Sequence, residues 1–133
     1  MDLDFSTFDP SSALAAIMYC DEREIVARAP ALPPYLALES MAQTCGMHLR
    51  HRHDFRIQAY LVTIDDLLHA PGPSAPMVIR AAITAETTAG ARYAVTVNDV
   101  HACRILIGRQ ASDVPDTFFR SRFACLSKAS CNA

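Results

Sequence analysis

Leu32-Pro33-Pro34-Tyr35-Leu36-Ala37-Leu38-Glu39-Ser40-Met41-Ala42-Gln43-Thr44-Cys45-Gly46-Met47-His48-Leu49-Arg50 is the stretch on which the reading of the fold depends. From Tyr35 to Arg50 it holds good helix formers, no internal Pro and a single Gly, so it is expected to be the principal helix. Pro33 or Pro34 suits a first turn, where a missing N–H costs nothing. The exit, His48-Leu49-Arg50-His51-Arg52-His53, places cations where the helix dipole is negative. Tyr35, Leu36, Leu38, Met41, Ala42, Cys45, Met47 and Leu49 leave no broad polar face. A helix apolar nearly all round is one wrapped by other structure.

Working outward, the flanks read as strands. Before the helix, Ala13 to Tyr19 is apolar, and after a turn at Cys20-Asp21-Glu22-Arg23 the polar Glu24 and Arg28 alternate with apolar neighbours through Ala29, a hairpin pattern. After it, Ile57 to Leu68 is rich in β-branched residues and Pro71-Gly72-Pro73 is a loop. Alternating runs from Met77 to Glu86 and from Ala91 to Asn98, then His101 to Ile107, are joined by turns at Thr88-Ala89-Gly90 and Asn98-Asp99. This is a three-strand antiparallel meander following one central helix. Residues 1–12 are expected to be a leader, 13–108 the domain, and 109–133, which has no clear period, a partly ordered C-terminal extension.

The whole chain of 133 residues, 51% hydrophobic and 20% charged, is sized for one domain. Its net charge of -2 provides no basic field, so nucleic acid is not an expected partner. No run approaches the roughly 20 apolar residues of a membrane span, and Met1-Asp2-Leu3-Asp4 lacks a positive signal-peptide start, so a cytoplasmic protein is expected. The five cysteines, Cys20, Cys45, Cys103, Cys125 and Cys131, form no CxxC pair, which favours reduced thiols over disulfides or zinc.

One hydrophobic helix among five or six antiparallel strands is the α+β pattern of the hotdog fold, a long central helix wrapped by a curved sheet and expected to be dimeric. The segment Leu32 to Gln43 resembles the central-helix motif of the hotdog-fold 3-hydroxyacyl-ACP dehydratases, in which a Pro precedes a Glu-x-Met-Ala-Gln run by the same six-residue Pro-to-Glu step as Pro33 to Glu39. It is similar also to the dehydratase-like subunit of bacterial aryl polyene biosynthesis, whose helix begins Leu-Pro. The resemblance implies that Glu39 is a catalytic group, with Gln43 one turn on to orient it, that Tyr35, Leu36 and Met41 line an acyl tunnel, and that no cofactor is needed. The family's second catalytic group is a His in the loop before the helix. Here the loop is Ala29-Pro30-Ala31-Leu32, and no His precedes His48. The backbone N–H that family members aim at the thioester carbonyl falls on Pro34, which has none.

Dehydration of a β-hydroxyacyl thioester needs a base, an acid and a carbonyl donor. Glu39 alone supplies one of these. In hotdog dimers the resemblance places the His of one chain against the Glu of the other, so the expected activity is that of a Glu-donating subunit completing a site with a His-bearing hotdog partner, on carrier-protein-bound acyl chains. A homodimer would have no complete site. Two alternatives remain open: a hotdog acyl thioesterase with Glu39 as base, and a non-enzymatic acyl- or carrier-binding module. Arg50, Arg52 and Arg56 are expected to meet an acidic carrier protein. His48, His51 and His53 with Asp54 have helical spacing, but the interleaved arginines oppose a metal, and none is expected. Asp65-Asp66 cannot act together on a strand, and Cys45 has no His placed to activate it.

Overall fold

The computed structural model describes residues 12–67 and 76–131, so the expected leader and the Pro71-Gly72-Pro73 loop lie outside the described residues, Ser12 apart. Eight elements follow one another: β1 (Ala16–Cys20), β2 (Glu24–Ala29), α1 (Pro34–Arg52), β3 (Ile57–Asp65), β4 (Met77–Thr87), β5 (Gly90–Val97), β6 (Val100–Ala111) and α2 (Thr117–Cys131). The strands form one sheet in the order β1-β2-β4-β5-β6-β3, every neighbouring pair antiparallel.

The turns follow from local chemistry. Asp21 Oδ1 accepts the Arg23 and Glu24 amides at 2.8 and 2.9 Å, closing the β1–β2 hairpin as an Asx turn. Those bonds, with the Tyr19 hydroxyl donating to Oδ2 at 2.6 Å, hold the Asp21 carboxyl at about 2. Asn98 and Asp99 both have positive φ, as a two-residue primed turn between β5 and β6 requires. Pro33 caps α1 and Pro34 is its first residue. The helix ends in a tight reversal through Asp54 and Phe55, both left-handed, with the Phe55 amide donating to the Arg50 carbonyl at 2.7 Å.

Irregular pairings in β1, β3, β4 and between β5 and β6 curve the sheet around α1. Ile25, Ile79, Tyr93, Val95, Ile105 and Ile107 face Met41, Cys45 and Leu49 in a fully or almost fully buried core. Each large aliphatic side chain buried there contributes about 1.5–3 kcal/mol relative to exposure. Small Ala27 and Ala81, paired with Ile79 and Ile25, leave room for the helix to approach. No residue of α1 from Ser40 to Arg50 is exposed, which accords with its all-round apolarity.

Of the stretch set apart above as an extension, 109–133, the described part finishes β6 and then forms α2. The Phe119 amide donates to Asp116 Oδ1 at 3.1 Å, capping the first turn, and Leu126 is buried in the core. Phe123 stacks on His51 at 4.6 Å between ring centroids. Among the described residues no helix is long and apolar enough to cross a membrane.

Candidate functional site

Glu39, Gln43, Gly46 and Arg50 follow one another at helical spacings of four, three and four, and so occupy one face of α1. That face forms the floor of a cleft of about 330 Å³. Ala59, Tyr60 and Leu61 of β3 make one wall, Phe118, Phe119 and Arg122 of α2 the other, and Ile107 of β6 lies between. The lining is mainly apolar, with Glu39 the one acid among its described residues.

Gln43 Nε2 donates to Glu39 Oε1 at 2.9 Å, one turn apart on the helix. The bond fixes one carboxylate oxygen toward the amide and leaves Oε2 for other chemistry. Among the described residues no His lines the cleft. At the helix start, Pro33 accepts the Leu36 and Ala37 amides at 2.9 Å, and Pro34 has no N–H to offer.

Arg50 closes the other end of the face. Its Nη2 donates to the Ala59 carbonyl at 2.9 Å, tying α1 to β3, and the guanidinium lies 3.7 Å from the Phe119 ring centroid. Gly46 lets it lie flat: a Cβ there would stand 3.1 Å from Arg50 Nη1. Arg50 therefore points into the cleft. Arg52 pairs with Glu86 at 2.8 Å and donates to the Glu22 carbonyl at 2.8 Å, while Arg56 is exposed beside Asp54 at 4.0 Å. The three arginines thus occupy three different environments.

Tyr35 is exposed at the helix start and Leu36 half-buried, neither lining the cleft. Met41 is fully buried, with the Cys103 thiol 3.8 Å from its sulfur. The helix-end histidines diverge in the same way. His48 is buried against Tyr93, His51 stacks on Phe123, and His53 lies 2.5 Å from Glu86 Oε2. Burial pushes the Glu86 carboxyl up, but Arg52 and His53 outweigh it and hold the group below its ordinary value. Among the described residues no three His, Cys, Asp or Glu side chains gather as metal ligands.

Cys20, Cys45 and Cys103 are poor nucleophiles. Burial pushes Cys45 well above its ordinary value, Cys20 up to about 12 and Cys103 to about 11. Asp65 ends β3, accepting from Thr63 Oγ1 at 3.3 Å, whereas Asp66 takes a left-handed turn and pairs with Arg104 at 3.4 Å.

Sequence reasoning placed Glu39 and Gln43 together but missed the β3, β6 and α2 walls. It assigned Arg50 to an outer surface, although the spacing from Glu39 through Gln43 and Gly46 to Arg50 was there to be read.

No protein-family model and no curated protein sequence matches the chain. Solved structures do. A thioesterase from Haemophilus influenzae superposes with a TM-score of 0.64 at 12% identity, covering 83% of this chain and 88% of that one. The dehydratase heterocomplex ApeI:P from Xenorhabdus doucetiae gives 0.55 at 11% identity, covering 88% and 91%. A conserved protein from Pseudomonas aeruginosa gives 0.57 at 12% identity, covering 82% of this chain and all of that one. At such identities the likeness is one of fold. A six-stranded antiparallel sheet curved around one long helix, shared with these thioesterase and dehydratase structures, is the hotdog fold.

Proposed function

We propose that this chain is a dehydratase-like hotdog subunit acting on acyl chains held as thioesters on a carrier protein, and that it contributes Glu39 to a site completed by a His-bearing hotdog partner, as in aryl polyene-type biosynthesis. The observation that carries the reading is a cleft with one oriented carboxylate, no imidazole among its described residues, and a helix start deprived of its N–H by Pro34. Glu39 would protonate the departing hydroxyl, with Gln43 holding the carboxylate. The α-proton base would come from the partner. The likeness to a dehydratase heterocomplex supports a two-subunit assembly.

β3 supports the same reading. It is a sheet edge, and Tyr60, Leu61 and Val62 on it are each about half exposed, at 52%, 47% and 48%. An apolar edge of this kind invites pairing with another chain, and pairing there would bring a partner alongside the cleft. Tyr35, one turn before Glu39, would meet the acyl chain on entry, and exposed Arg56 would meet an acidic carrier protein.

The test is dehydration of a 3-hydroxyacyl-carrier-protein, followed by mass loss of water, with this chain alone and with a co-expressed His-bearing hotdog protein. Activity only in the mixture, lost on Glu39→Ala, is the expected result; activity of the chain alone would overturn it. A second reading, an acyl thioesterase with Glu39 directing water, is favoured by the likeness to the Haemophilus enzyme and by a cleft holding a lone carboxylate. Release of free thiol from acyl thioesters by this chain alone would establish it.

A further inference from the structure

Arg50 is an unusual residue to find lining an apolar cleft. It is half-buried, its Nε is shut off from water without a hydrogen-bond partner, and among the described residues no carboxylate forms an ion pair with it. Its partners are a backbone carbonyl and the face of Phe119, which leave most of the donors of a guanidinium unused. Asp116 is near enough to favour the charge but forms no ion pair with it, and burying a cation without a directly paired anion is costly. Gly46 adds to the cost, since Gly in a helix interior is unfavourable, yet it is what lets Arg50 lie along the floor.

We propose that Arg50 pairs with an anionic oxygen group at the far end of the ligand that fills this cleft. Glu39 and Arg50 are eleven residues apart on one face, and because the Arg50 guanidinium reaches back over Gly46 it stands about 10 Å along the helix axis from Glu39. A thioester at Glu39 therefore leaves Arg50 to a group a medium-length chain away. Two sources supply that chemistry: a carboxylate terminating the acyl chain, or the phosphate of the pantetheine arm. Either would give the half-buried cation a direct charge-assisted pair. The inference rests on the acyl-thioester reading of the cleft and deepens it.

Calorimetric titration of the full chain with hydrolysis-resistant amide analogues of three thioesters tests it: octanoyl-N-acetylcysteamine, the corresponding suberyl compound with its free carboxylate, and octanoyl-phosphopantetheine. The wild type is expected to bind at least one of the two anionic compounds about tenfold or more tightly than the neutral one. That advantage disappears in Arg50→Met and survives in part in Arg50→Lys. Which anionic compound gains identifies the source. Equal binding of all three by the wild type overturns the proposal and leaves the acyl-thioester reading standing, a comparison that needs no variant to fold. If none of the three binds, the proposal falls, and the acyl-thioester reading is decided by the dehydration assay with the partner present.

Discussion

The Tyr93 hydroxyl and His48 Nδ1 lie 2.7 Å apart in the core, and the hydroxyl is the donor. This follows from the other side of the ring, where Nε2 is 2.9 Å from the Asp21 carbonyl, a group that can only accept. Nε2 therefore carries the proton and Nδ1 the lone pair. His48 is a neutral structural imidazole bridging α1, β5 and the β1–β2 turn.

That arrangement has a pH signature. Burial, with smaller contributions from Arg52 and His51, lowers the His48 pKa below its ordinary 6.5. The unfolded chain thus binds a proton before the folded one does, and the stability from neutral His48 is present above about 6.5 and lost as pH falls below it. Thermal melts between pH 7.5 and 5.5 should show a falling Tm. His48→Gln, which can both donate and accept, should flatten the slope. An unchanged slope would locate the titration elsewhere. Tyr93→Phe should cost about 1–3 kcal/mol at neutral pH, the penalty for an orphaned buried acceptor.

Gly108 sits opposite Tyr60 in the β3–β6 ladder, and a Cβ there would collide with the Tyr60 ring, which lies across it. The glycine is the seat of a cleft wall. Gly108→Ala should displace the ring toward solvent at a cost to stability of about 1 kcal/mol or less, since the ring is half exposed. Ligand affinity for the cleft should fall by more than the stability change suggests. Equal affinity in the two proteins would mean that Tyr60 does not shape the bound site.

Much of the fold was legible because its main signals are local. Pro33 and Pro34 announce the start of α1, and its apolar circumference announces burial. The alternation in Met77–Thr87 and Gly90–Val97 announces paired strands. α2 was missed although Phe119, Phe123 and Leu126 recur at steps of four and three, a short apolar stripe on one helix face, because the exposed Phe118 beside Phe119 blurs the period; Pro115 and the capping Asp116 were further signals. The site was legible only along α1. Its walls come from β3, β6 and α2, and nothing in the sequence of any one element records that the others stand beside it.

The β3 edge makes the assembly testable by one substitution. Val62 is half exposed at the strand irregularity, so Val62→Lys adds a charge to an edge without disturbing the core. Folding stability should stay within about 0.5 kcal/mol, as for most surface changes. Light scattering should nonetheless show any dimer, alone or with a hotdog partner, shifted toward single chains. A dimer of undiminished mass would place the interface away from β3.

Glu39 and Gln43 should separate as chemistry and positioning. Glu39→Gln keeps the shape and the acceptor that Gln43 Nε2 uses, but removes the transferable proton, so turnover of the reconstituted pair should fall about 10²–10⁴-fold with binding of the neutral octanoyl analogue little changed. Gln43→Ala leaves the carboxylate in place and free to swing. It should lower kcat by a smaller factor with KM nearly constant, because the lost contact matters most when Glu39 must meet the departing hydroxyl. Should Gln43→Ala instead raise KM and spare kcat, Gln43 would be a substrate contact and the bond to Glu39 incidental. If Glu39→Gln retained full turnover, the carboxylate would have no chemical role and the chain would serve its partner by shape alone.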